Sequence, residues 1–147
     1  MKIDVRKLKY SGKYESDFEF DYSPKDDIVL IPDARIDKLV KVKGSLELHN
    51  EDVYVDGTVE CTIVGKCARC LEDAVYLFKR DFSCKFVLFD AEEDDYYYKS
   101  GVIDLTDAIN DVFYTEMVTS IYCKDDCKGL CSNCGANLNK TSCSCKY

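Results

Sequence analysis

The sequence predicts an α+β fold: an antiparallel β-sheet or partly open barrel, one main helix, and a cysteine-stapled C-terminal tail. Three observations carry this. Apolar and polar residues alternate with period two over most of residues 14–88. A stretch beginning at Asp104 switches to helical spacing. The segment 123–147 holds six of the ten cysteines and few large apolar groups, so it cannot pack a core without a staple.

The elements follow in order. Tyr14, Phe18, Phe20 and Tyr22 share one parity, and Glu15, Asp17, Glu19 and Asp21 the other, the pattern of a half-buried strand. Ile28 to Ile31 reads as a short apolar strand stopped by Pro32. Val40, Val42, Leu46 and Leu48 alternate next, and His49-Asn50-Glu51-Asp52 reads as a hairpin turn. Val53, Val55, Val59, Cys61 and Ile63 share a face, Gly65 to Asp73 breaks the pattern, and Tyr76, Phe78, Phe82, Cys84, Phe86 and Leu88 form the next face. Long strands joined by short turns favour antiparallel pairing. Asp90 and Glu92 to Asp95 form an acidic loop. Leu105, Ala108, Ile109, Val112, Phe113 and Met117 then predict a helix over 104–119, with Asp104 as N-cap. Residues 1–120 form a sheet-plus-helix domain, and 121–147 a cysteine-rich tail packed on it.

Composition narrows the function. The chain has 147 residues, enough for one domain with its own core, and 46% apolar content excludes global disorder. No apolar run approaches a membrane span, and Met1-Lys2-Ile3-Asp4-Val5 has no signal-peptide block, so a cytoplasmic protein with reduced thiols is expected. The net charge of −8 repels phosphate, so broad wrapping of nucleic acid is disfavoured. The exceptions are the tail and residues 1–13, where Lys2, Arg6, Lys7, Lys9 and Lys13 are the RNA-contact candidates. An acidic body also suits docking on a basic protein. Neither GxxxxGK[ST] nor GxGxxG occurs, and His49, the single histidine, lies at the hairpin tip on the polar parity. Phosphate-loop and histidine-based catalysis thus have little support. Asp94 and Asp95 read as solvated loop residues, and Tyr96-Tyr97-Tyr98 as a short strand or a helix-packing segment.

Parity places Cys61 and Cys84 on core faces, where cysteine acts as a small hydrophobe. Eight remain: Cys67 and Cys70 in a CxxC, then Cys123, Cys127, Cys131, Cys134, Cys143 and Cys145. Eight thiols suit two tetrahedral Cys₄ zinc sites, so structural Zn²⁺, one or two per chain, is expected. One partition gives Cys67, Cys70, Cys123 and Cys127 to the first site and Cys131, Cys134, Cys143 and Cys145 to the second. Pairing Cys67/Cys70 with Cys131/Cys134 is the alternative, and spacing does not choose. Each Cys₄ zinc carries two negative charges, so filling both would take the chain from −8 to about −12 and weaken RNA binding through the tail. A thiol–disulfide oxidoreductase using Cys67 and Cys70 is the functional rival. Its chemistry usually sits at a helix start, whereas this CxxC joins two strands.

Val64-Gly65-Lys66-Cys67-Ala68-Arg69-Cys70-Leu71, Ile103-Asp104-Leu105, Asp126-Cys127-Lys128-Gly129-Leu130-Cys131, Cys134-Gly135-Ala136-Asn137-Leu138-Asn139 and Cys143-Ser144-Cys145 carry a resemblance. Together they resemble the YceD family, the large ribosomal RNA subunit accumulation proteins, in its Gram-positive form. The resemblance implies a non-enzymatic factor for large ribosomal subunit biogenesis, linked to 23S rRNA accumulation. It also implies a CxxC…CxxC signature carried by Cys67/Cys70 and Cys131/Cys134. Relatives that lack the C-terminal knuckle favour the first partition. Ser132 and Val118-Thr119-Ser120 depart from the family, which often has Pro and Leu-Pro there. The implied partner is a large-subunit precursor, through rRNA, a ribosomal protein, or both, with no membrane and no small-molecule substrate. A zinc-stapled adaptor for a non-ribosomal protein is a further reading.

Overall fold

The computed structural model describes residues 1–145, so the last two residues of the predicted tail lie outside it. The alternating segments form β2 (Glu15–Tyr22), β3 (Arg35–His49), β4 (Asp52–Lys66) and β5 (Asp73–Val87). They pair antiparallel in chain order, and β6 (Asp95–Tyr97) adds parallel to β5. The sheet is therefore mixed and open, with β2 and β6 at its edges. Tyr98, just after β6, is buried in the core, and its hydroxyl donates to the Glu51 carbonyl in the β3–β4 turn.

Alternation decides what is buried. Val42, Leu46, Val55, Val59, Ile63, Phe78 and Phe86 share the inner face and are at most 2% exposed. Cys61 joins them, whereas Cys84 is only partly covered. Burial pushes their thiols up to about 11 and about 12, which suits inert packing groups. Gly44 and Gly57 face one another across β3 and β4. A Cβ on Gly44 would stand 2.1 Å from the Asp56 carbonyl oxygen, so only glycine permits this approach.

Helix α2 (Thr106–Glu116) lies on the inner face with Ala108, Ile109 and Phe113 buried. Phe113 stacks on Phe78 of β5 at 5.1 Å. Leu105 already has helical dihedrals, and Asp104 accepts hydrogen bonds from the Thr106 N–H (3.0 Å) and hydroxyl (2.7 Å). Asp104 therefore caps the helix. The helix stops at Glu116 rather than 119, because Met117 turns extended ahead of the β-branched Val118 and Thr119.

Two segments differ from expectation. Ile28–Ile31 is not a strand: Asp26–Ile28 forms a 3₁₀ turn, and both isoleucines join the buried core from irregular backbone. The basic N-terminus forms β1 (Lys2–Asp4) and the short helix α1 (Arg6–Tyr10). β1 pairs antiparallel with β7 (Val102–Asp104), making a ribbon at the entrance to α2. Among the described residues no helix is long and apolar enough to cross a membrane.

Candidate metal centres

The β4–β5 connection is a tight knuckle. Cys67 N–H donates to the Glu72 carbonyl (2.7 Å) and Leu71 N–H to the Cys67 carbonyl (3.0 Å). The tail repeats this turn at equivalent spacing. Cys131 N–H donates to the Ala136 carbonyl (2.8 Å) and Gly135 N–H to the Cys131 carbonyl (2.9 Å). The residue after each second cysteine is left-handed: Leu71 at φ 63° and Gly135 at φ 76°. Glycine adopts this freely; leucine does so against a steric cost of roughly 1–2 kcal/mol.

The two knuckles do not share one site. Cys67, Cys70, Cys123 and Cys127 form one group, and Cys131, Cys134, Cys143 and Cys145 another, with sulfurs within 4.8 Å of one another in each. In the first group Cys67 Sγ lies 3.7 Å from Cys127 Sγ, and Cys70 Sγ 3.6 Å from Cys123 Sγ. A tetrahedral ion with metal–sulfur bonds of ~2.3 Å spaces its sulfurs about 3.8 Å apart. Both groups could hold a metal.

The surroundings of the first group lower two of its thiols, Cys67 and Cys127, and raise the other two, Cys70 and Cys123. Burial pushes the Cys67 thiol up, but hydrogen bonds from the backbone of Cys123, Cys70 and Arg69 outweigh it and bring the thiol down to about 6. The Arg69 N–H reaches Cys67 Sγ at 3.4 Å. At Cys127 the Asn139 amide donates to Sγ (3.3 Å) and lowers the thiol. Cys123, desolvated and crowded by three neighbouring thiols, is pushed up to about 12. Such asymmetry is expected where four thiols share one focus, and a cation there would draw all four into the thiolate form. In the second group the Ala136 backbone draws Cys134 down, but contact with Cys131 and Cys145 leaves it raised.

The groups also differ in setting. In the first, Cys67, Cys70 and Cys127 are buried and Cys123 is exposed; in the second only Cys131 is buried. The first group ties the tail to the sheet, helped by the Ala68 N–H to Ile121 carbonyl bond (2.8 Å) and the buried Ile121 side chain. The second hangs on the first. Leu130 N–H donates to the Arg69 carbonyl (3.2 Å), and Gly129 packs against Arg69 so closely that a Cβ would meet that carbonyl at 3.2 Å. The Arg69 guanidinium donates to the Cys127 carbonyl (3.2 Å) and covers the Tyr122 ring at 4.7 Å. Sequence reasoning missed Arg69 and Asn139 as supports. Their only signal was position, one inside the CxxC and the other ending the Cys134–Asn139 motif.

The N-terminal cations are all exposed. Arg6 is held by Asp4 (3.0 Å) and Lys9 by Glu51 (2.8 Å). Lys2, Lys7 and Lys13 have no ion pair among the described residues, and Tyr10 beside them is 90% exposed. His49 is exposed, 3.1 Å from Glu47 and edge-on to Tyr54.

The profile of the family described as "Large ribosomal RNA subunit accumulation protein YceD" matches residues 55–147, from β4 through both cysteine groups. An uncharacterized protein of Mycobacterium leprae is 37% identical over 103 residues, 63% of this chain and 46% of its own. An uncharacterized protein of Mycobacterium tuberculosis is 34% identical over 100 residues, covering 63% and 48%. The chain thus spans about half the length of these curated relatives. The Zea mays protein named "Large ribosomal RNA subunit accumulation protein YCED homolog 1, chloroplastic" is 49% identical over 45 residues, 30% of this chain and 15% of its own. No solved structure matches. A profile that covers more than half of the chain and contains all eight clustered cysteines shows that this chain belongs to the YceD family.

Proposed function

We propose that this chain is a non-enzymatic accessory factor in large ribosomal subunit biogenesis, supporting 23S rRNA accumulation in the cytoplasm, with one structural Zn²⁺ in each cysteine group. The observation that carries this reading is the family match, together with the plant relatives that bear the rRNA-accumulation name. The cysteine geometry supports a structural metal. Four thiolates close a tetrahedral ion and leave no position for substrate. The five N-terminal cations, with Lys2, Lys7 and Lys13 in no ion pair among the described residues, supply the RNA contacts. The acidic body keeps the footprint small.

The test is a sucrose-gradient profile of cells expressing a tagged copy at low salt, with and without nuclease. Co-migration with free large subunits or their precursors, lost on nuclease treatment, is the expected result. Protein confined to the top of the gradient after mild crosslinking overturns it. A second reading, a thiol–disulfide oxidoreductase, draws on the lowered Cys67 thiol in its CxxC. Two zinc ions per purified chain and thiols inert to mild oxidant count against it; reversible oxidation of Cys67 and Cys70 alone favours it.

A further inference from the structure

We propose that the free edge of β2 is a docking site for an extended, lysine- or arginine-rich segment of another protein, which joins the sheet as a sixth strand. The inference stands on the edge itself and does not rest on the function proposed above. β2 is eight residues long and, among the described residues, pairs only with β3. Among the described residues no backbone hydrogen bond joins its outer side to the rest of the chain. An edge of that length presents unpaired N–H and C=O groups to any extended chain that approaches.

Charge selects the occupant. Glu15, Asp17, Glu19 and Asp21 stand on the outer face of β2, all exposed, and none has an ion pair among the described residues. Lys43 and Lys41 of β3 stand opposite Glu19 and Asp21 without closing an ion pair, whereas contacts such as Lys66–Asp73, Lys140–Glu72 and Arg80–Glu116 are closed. Alternate carboxylates along a strand lie about 6.8 Å apart, the repeat of alternate side chains on an added strand. A second copy of β2 would set four carboxylates against four and is repelled. A nucleic-acid backbone is repelled in the same way. A strand with cations at every second position is attracted, and main-chain hydrogen bonds then fix its register.

The other face of β2 sets the intervening positions. Phe18, Phe20 and Tyr22 are half-buried against the core, and the Phe18 and Phe20 rings lie 5.9 Å apart. A sixth strand brings its uncharged side chains alongside these rings. The recognised pattern is therefore cation–apolar alternation and not a simple basic cluster.

The test uses a fluorescein-labelled peptide of about seven alternating Lys and Val residues. It is titrated against the full chain at about 50 mM salt and again at higher salt. The expected result is saturable binding that weakens with salt, with amide-exchange protection gained in residues 15–22. A peptide of the same composition with all lysines at one end binds more weakly. The combined variant E15Q/D17N/E19Q/D21N, isosteric and on an exposed face, lowers affinity by about tenfold or more while its amide spectrum stays folded. Absence of saturation, equal binding of the block peptide, protection gained elsewhere, or unchanged affinity in the combined variant overturns the proposal.

Discussion

Replacing Cys67 and Cys70 together by serine cuts the link between the β4–β5 knuckle and the tail. Cys70 and Cys123 are 53 residues apart in sequence, with sulfurs 3.6 Å apart. A metal held by both closes that loop as a disulfide would. Chain entropy then assigns the closure about 4 kcal/mol of stability through the unfolded state. At a urea slope of about 2 kcal/mol per molar, the midpoint falls by about 2 M. The control is Cys143→Ser with Cys145→Ser. This second site links Cys134 to Cys143 within the tail, nine positions away, a closure worth roughly 2.5 kcal/mol to that local loop. The assay is urea unfolding of zinc-loaded protein, followed by circular dichroism for the sheet and by amide exchange for the tail. The first pair of substitutions should move the sheet transition; the second should free the amides of 131–145 and leave the sheet transition nearly in place. Equal shifts from the two pairs, or none from the first, would refute the reasoning.

Two further outcomes are expected. Gly44→Ala places a Cβ 2.1 Å from the Asp56 carbonyl and 2.5 Å from Gly57 Cα, so β3 and β4 must part, with a loss of about 1–3 kcal/mol in urea unfolding. Asp104→Ala removes the α2 cap and costs about 1 kcal/mol near neutral pH. Burial raises the Asp104 carboxyl, but bonds from Thr106 and the nearby N-terminal ammonium lower it below its ordinary 3.8. Its contribution is therefore complete above 3.8 and is lost as pH falls through the depressed folded value. The gap between parent and variant, read from acid-range unfolding curves, should close there.

Much of this architecture was legible because it rests on long periodic segments. The 15-residue β3, β4 and β5 each show many turns of alternation, and Phe113 and Ile109 marked the buried stripe of α2. The β1–β7 ribbon was not legible, since three-residue strands hold too few positions to show a period. Ile28–Ile31 misled for a related reason. A short apolar run reports burial but not conformation, and here burial comes from a turn under α2. The bulge between Asp37 and Lys41, with Lys38 at φ 67°, carries no glycine to announce it. At the metal centres spacing supplied the eight thiols but not their grouping. That depends on where Ile121 docks the chain after α2, a contact set by the folded core.

The series arrangement of the two cysteine groups has a mechanical consequence. Force applied at the C-terminal end reaches the second group first, then the Leu130–Arg69 bond, then the buried first group, and only afterwards the strands. With metal bound, a protease or unfoldase pulling from that end meets two ionic clasps before any β-sheet. Loss of metal from the outer clasp alone shortens the protected segment to the inner one, while the inner clasp still holds β5, β6, β7 and α2 in a closed loop. If both groups hold metal, resistance to processive unfolding from the C-terminal side would follow their occupancy, and from the N-terminal side the β1–β7 ribbon would be met first.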